Sequence, residues 1–331
     1  MIGSRLAGHG VLLAATLALL AGCADEALPQ PRPRADDDAV PVVIDVQIER
    51  IRAELVASVE AGDAAQDPAP LQARLAGPAL ELRQARYTVR RALPDQPGPA
   101  ALGGELLLDI TPAAQDWPRF FLTAQRPGPD AVPKLQLMTQ ATARDPYRLQ
   151  AYVTLLPGVT LPGVPPEEPA EALPPAEASG LVAAPADVVA RYADVLTFGD
   201  ASVFKDAFAP DAFRTQIIGE QNAERGAVSA FFAYEAVHRL RPDAVWAVRT
   251  EDGGAIVLGA IDATRSFSIT VPGAKLPLPA DLAVLAGVPE ATQRAAVTSL
   301  ELVAFSVPPE GGGAPITVLG GERGVLSATA S

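Results

Sequence analysis

From residue 42 the apolar positions fall into two alternating kinds of spacing. Ile44, Ile48, Ile51, Leu55 and Val59 recur every three or four residues and predict an amphipathic helix over 42–60. Arg50 and Glu54 sit one turn apart on its wet side. A second helical stretch is expected over 72–83. From Tyr87 onward the spacing turns to β-type in "YTVRRA", "ELLLDIT", "RFFLTAQ", "KLQLMTQATA" and "YRLQAYVTLL". Leu135, Leu137 and Thr139 alternate with Gln136, Met138 and Gln140, the pattern of a strand with one face buried. Pro127-Gly128 predicts a turn between two strands.

The segment 161–185, "LPGVPPEEPAEALPPAEASGLVAAP", breaks both periods and reads as a linker whose glutamates are solvated. Helical spacing restarts at Pro185 with Val188, Tyr192 and Val195 on one face. A further helical piece is expected over 201–217, interrupted at Pro210. Strand-like runs follow: "AFFAYEAVHRL", "AVWAVRT", "GAIVLGAI" and "RSFSITV", with Asp252-Gly253-Gly254 as a hairpin turn. A short helix is expected near 289–296, then strands near 299–307 and 316–328. The expected division is 1–22 signal peptide, 23–41 lipidated cysteine and tether, 42–161 first α+β domain, 162–184 linker and 185–331 second α+β domain.

Helices then strands occur twice, and three short stretches recur in order. Gly62-Asp63-Ala64 matches Gly199-Asp200-Ala201, "LAGPAL" at 75–80 matches "FAPDAF" at 208–213, and "VTLLPGVTLP" at 153–162 parallels "SITVPGAKLP" at 268–277. This order predicts an internal duplication and an α+β class, two tandem units each with helices preceding a curved antiparallel sheet. The element order and the glycine–aspartate turn resemble the cone-shaped fold of nuclear transport factor, ketosteroid isomerase and the SnoaL-like polyketide cyclases. The resemblance implies a pocket between sheet and helices in each half.

The N-terminus follows a different pattern. A basic start to Arg5, an apolar run over Val11–Leu20 and small residues lead to Cys23, the chain's single cysteine, as in a secretory signal peptide. The apolar run is shorter than the roughly 20 residues a membrane-spanning helix needs. Leu20-Ala21-Gly22-Cys23 resembles the lipobox of bacterial lipoproteins. That resemblance implies cleavage before Cys23 and a diacylglyceryl (palmitate-type) group on its sulfur, placing the protein on the extracytoplasmic face of the cell membrane. Prolines at 29, 31 and 33 extend the following tether, at about 3.1 Å per residue. A chain of this plan resembles actinobacterial envelope lipoproteins of unknown function. The presence of only three lysines, Lys134, Lys205 and Lys275, agrees with such a G+C-rich source.

Composition narrows the chemistry. The formal net charge of −13 argues against nucleic acid, which demands a basic stripe. His9 falls in the leader, so His238 is the mature chain's single histidine. Clustered His/Cys metal sites and Cys–His catalysis therefore have no residues to draw on, and no metal or cofactor is expected. "GGERG" at 320–324 reads as a hairpin turn, not a phosphate cradle. Asp63 and Asp200 read as turn or cap residues.

One stretch carries candidate chemistry, "FFAYEAVHRLRPDAVW" at 231–246. As a strand it points Phe232, Tyr234, Ala236 and His238 one way. With Trp246 they are expected to line an apolar pocket with Tyr234 and His238 as polar handles. The plainer reading puts the aromatics in the core and His238 at a solvated strand end. Two functions stay open. One is a non-catalytic binding or assembly lipoprotein of the envelope, and it is the leading one. The other is a carrier, or an enzyme of isomerase or cyclase type, for a small apolar molecule.

Overall fold

Ile48, Ile51, Leu55 and Val59 are buried along one stripe of helix α1 (Asp45–Ala65), as their spacing requires. The computed structural model describes residues 40–113, 116–164, 169–228 and 230–331. The signal peptide, the lipobox with Cys23 and the tether before Val40 lie outside the described residues. Helix α2 (Gly77–Ala92) continues through "YTVRRA", where a strand was expected. Tyr87 and Val89 are buried on the helix together with Ala79, Leu82 and Arg83. Tertiary burial outweighs the local β preference of Tyr, Thr and Val.

Four antiparallel strands follow: β1 (Glu105–Ile110), β2 (Arg119–Arg126), β3 (Lys134–Gln140) and β4 (Arg148–Leu155). Strand β3 is buried on both faces, Gln136 and Met138 included, where one wet face was expected. The described part of the proline-rich segment lies against the body. Ala170-Glu171 pairs in parallel with Pro112-Ala113, and Leu173 and Leu181 are buried.

The second half opens with α3 (Pro185–Phe198) and α4 (Ala212–Val228). Pro210 precedes α4 rather than interrupting a helix. Asp211 then caps it, its Oδ1 accepting from the Arg214 backbone N–H at 2.7 Å. Strands β5 (Phe232–Arg249), β6 (Ala255–Ile269), β7 (Arg294–Val307) and β8 (Thr317–Ala330) complete the chain. Helix α5 (Ala280–Ala286) lies between β6 and β7, nine residues before the expected 289–296, where β7 instead begins. The "GGERG" stretch is the middle of β8, not a turn.

All eight strands form one antiparallel sheet in the order β1-β2-β3-β4-β8-β7-β6-β5. The architecture is α+β, with helices followed by a strongly curled antiparallel sheet, as expected at that level. The halves join where Leu155 and Thr154 of β4 pair with Gly320 and Gly321 of β8. A Cβ on Gly320 would meet the Thr154 carbonyl oxygen at 2.6 Å, and one on Gly321 would strike the Phe213 ring. Only glycine lets strand and helix meet there.

Residues alternate between the two sheet faces. Phe121, Met138 and Tyr152 pack under α1 and α2, and Val257, Val303 and Phe305 pack under α3. The opposite faces meet each other. Leu122, Leu135, Leu137 and Val153 of the first half share one core with Val248, Ile256, Leu258 and Leu302 of the second. At about 1.5–3 kcal/mol per buried aliphatic side chain, parting these faces would consume the roughly 5–15 kcal/mol by which a typical domain is stable. The halves are successive in sequence and continuous in space.

Two of the three recurring stretches occupy like places. Leu75 and Phe208, which open "LAGPAL" and "FAPDAF", form parallel bridges to Leu149 and Ile316, beside the last strand of each half. Gly62-Asp63 lies in the last turn of α1, and Gly199 ends α3. The third pair does not correspond. Pro157-Gly158 follows β4, the fourth strand of its half, but Pro272-Gly273 follows β6, the second.

Candidate functional site

Strand β5 sits at one end of the sheet and crosses under α3. Up to Leu240 its even-numbered residues face the helices, as the strand period predicts. Phe232 is buried, and Tyr234 packs edge-on against Phe267 with ring centroids 5.2 Å apart. Between Leu240 and Val245 the pairing with β6 slips from Ile261 to Gly259. This bulge exchanges the faces. Trp246 therefore packs into the core shared by the two halves, away from Phe232, Tyr234 and His238. The expected four-residue pocket is split across the sheet by that slip.

His238 is not at a solvated end; it is 6% exposed. Its Nδ1 lies 2.9 Å from Oε2 of Glu301, itself 0% exposed on β7. Its Nε2 lies 2.7 Å from the Gln221 amide nitrogen of α4, which also donates to the Leu196 carbonyl at 3.4 Å. An amide nitrogen donating both ways makes Nε2 the acceptor and leaves the imidazole proton on Nδ1, aimed at Glu301. The His238 backbone N–H donates to Thr197 Oγ1 at 2.9 Å. Both ring nitrogens are engaged inside the protein.

Charged contacts surround this pair. The second Glu301 oxygen faces Arg323 Nε at 3.5 Å, and Arg323 also pairs with Glu220 of α4. Gln216 and Arg323 hold the Glu220 carboxyl below its ordinary range, against the opposing effect of burial. Tyr234 donates its hydroxyl to Glu224 Oε2 at 2.9 Å, and Glu224 also pairs with Arg265. Burial first, then the Glu224 carboxylate, pushes the Tyr234 hydroxyl well above its usual range. Helix α4 is thus fastened to the sheet by Glu220, Gln221 and Glu224 on successive turns. Ser299 Oγ, also under the helices, has no partner.

A cleft of about 630 Å³ runs beside this interior, lined by Ala193, Thr197 and Phe198 of α3, by Arg225, and by the stretch Tyr234–Leu240 of β5. Among the described residues, Ala172 and Leu173 cover the C-terminal part of β5's outer edge, and Thr197 Oγ1 of α3 takes the His238 N–H farther along it. Along 233–240 that edge borders the cleft.

Sequence reasoning found Tyr234 and His238 but missed Glu301, Gln221 and Arg323. Glu301 was legible as a single acid inside the apolar run "SLELVAFSV". Gln221 and Arg323 carry no such signal. Asp63, read as a turn residue, instead receives the Tyr87 hydroxyl at 2.5 Å and pairs with buried Arg83. Among the described residues no group of three His, Cys, Asp or Glu gathers as a metal site, and no helix is long and apolar enough to cross a membrane.

The profile of a family described as a domain of unknown function (DUF8094) matches residues 47–330. No curated protein and no solved structure matches the chain.

Proposed function

The chain belongs to the DUF8094 family, and within it we propose that this protein is a lipid-anchored, extracytoplasmic binding or assembly protein without catalytic activity. Cys23 is the anchoring residue, and its thioether holds the body at the outer face of the membrane. The two helix–helix–sheet halves are copies of one cone-like unit, as the matched Leu75 and Phe208 bridges support.

One observation carries the non-catalytic reading: His238 spends both ring nitrogens on Gln221 and Glu301. A general base needs a nitrogen within reach of its substrate. Here the reachable surface is instead the cleft between α3 and β5, where a segment of an envelope protein can dock. The carrier reading needs an enclosed apolar cavity. The apolar faces of this sheet are spent on each other.

Mass spectrometry under native conditions tests the proposal on protein extracted from the membranes of its own host. The expected spectrum shows a diacylglyceryl mass on the Cys23 peptide and no stoichiometric small-molecule adduct. The Cys23→Ser variant should leave the membrane fraction. A stoichiometric apolar adduct would favour the carrier, and a Cys23→Ser variant still on membranes would refute the anchor.

A further inference from the structure

Several arginines among the described residues are paired with a carboxylate, but two that share a cleft are not. The cleft, about 490 Å³, lies between the first turns of α1 and the ends of β2 and β3. Arg50, Arg74 and Arg119 line it, with Trp117 and the carboxylates of Glu54 and Asp145. Glu54, one turn from Arg50 in sequence, pairs with Arg74 instead. Asp145 accepts from Thr142 Oγ1 at 2.6 Å. Neither Arg50 nor Arg119 has a carboxylate partner among the described residues.

Arg119 stands out. Its guanidinium carbon lies 4.2 Å from the centre of the Trp117 ring, which holds the fork in one orientation. Its Nε is buried without an acceptor. A guanidinium has five N–H donors in a rigid plane matched to oxyanions, and a buried donor left unmet is costly. Opposite Arg119 on β3, Gln140 donates its amide to the Asp145 carbonyl at 2.6 Å, leaving its own side-chain oxygen turned from that bond.

We propose that this cleft binds a phosphate group, carried by a soluble phosphomonoester or by a lipid headgroup. Three guanidinium groups outnumber the two carboxylates in the lining, and their planar forks take phosphate oxygens in pairs. A phosphomonoester, with a charge of about −1.5 to −2, draws on them more strongly than a single carboxylate does. The site is separate from the β5 cleft and does not depend on how that cleft is used.

Calorimetric titration of the full-length protein in neutral detergent micelles tests this with three probes: phenyl phosphate, short-chain phosphatidic acid and benzoate. At least one phosphate probe should bind, and benzoate should bind about tenfold or more weakly. Binding of phenyl phosphate supports a soluble ester; binding of the lipid probe alone supports a headgroup. Arg119→Gln should weaken binding about tenfold or more and Arg50→Gln by about threefold or more. Arg148→Gln, another arginine with a buried, unpartnered Nε but outside the cleft, should bind as the unaltered protein does. Arg50 is exposed on α1, so its variant decides the matter if Arg119→Gln fails to fold. Absence of binding by both phosphate probes, equal affinity for benzoate, or indifference to both substitutions would overturn the site.

Discussion

Helix α2 of the first half buries Ala79, Leu82, Ala85, Tyr87 and Val89, whereas α4, its counterpart by order in the second half, buries only Ile217 and Gln221. The first is held mainly by apolar area, beside the Arg83–Asp63 and Glu81–Arg241 pairs. The second is held by Glu220, Gln221 and Glu224, each reaching a polar group on the sheet. Apolar packing needs little beyond shape, whereas each polar fastening depends on a particular partner and leaves a costly vacancy when that partner goes. The same sequence of elements has therefore produced one fixed helix and one latched helix.

The interiors differ in the same sense. Under α1 and α2 the buried polar groups of the sheet include neutral amides. Gln125 donates to Thr123 Oγ1 at 2.8 Å, and Gln136 has no partner for its nitrogen. Under α3 and α4 they are His238, Glu301 and Arg323. Glu301→Leu should lower stability to urea by about 3 kcal/mol, because it leaves the Nδ1 proton of His238 without an acceptor and removes a charge facing Arg323. Gln136→Leu, at an equally buried position, should change it by less than about 1 kcal/mol, since half of its hydrogen bonding is already unmet. Equal losses would erase the distinction.

The smallest expected effect is in pH dependence, and it has opposite signs in the two halves. Asp109 on β1 is held above the ordinary carboxylate range by burial and then by Asp45. The native state binds its proton more readily than the unfolded chain, so its contribution declines as pH rises through that range. Asp252, in the β5–β6 turn, is held below that range by the Thr250 hydroxyl and the Gly254 N–H. Its contribution is present above the ordinary carboxylate value and is lost as pH falls. Asp109→Asn should raise the melting temperature slightly at neutral pH and not in acid. Asp252→Asn should lower it slightly at neutral pH and not in acid. Thermal melts between pH 3 and 7 read both.

The sequence told much about elements and less about neighbours. The helical spacing of Ile48 to Val59 and the runs at 119–126 and 148–155 appear as read, because one face of each meets a core. "YTVRRA" misled because its residues favour strands when alone, and α2 gives them a core only in three dimensions. Trp246 was assigned to the wrong face because the bulge after Leu240 is set by pairing with β6, and no residue type announces it. The continuity of the two halves was equally hidden. A strand with both faces buried, such as β3, looks in sequence like one with a single dry face when glutamines occupy the second.

Hydrogen exchange read by mass spectrometry tests the contrast between the fixed and the latched helix most directly. The account predicts that amides of β2, β3, β6 and β7 from both halves exchange together at the level of global unfolding, that α2 approaches that level, and that α4 exchanges at least about tenfold faster than α2. Equal protection of α2 and α4, or strands of the two halves exchanging at separate levels, would contradict it.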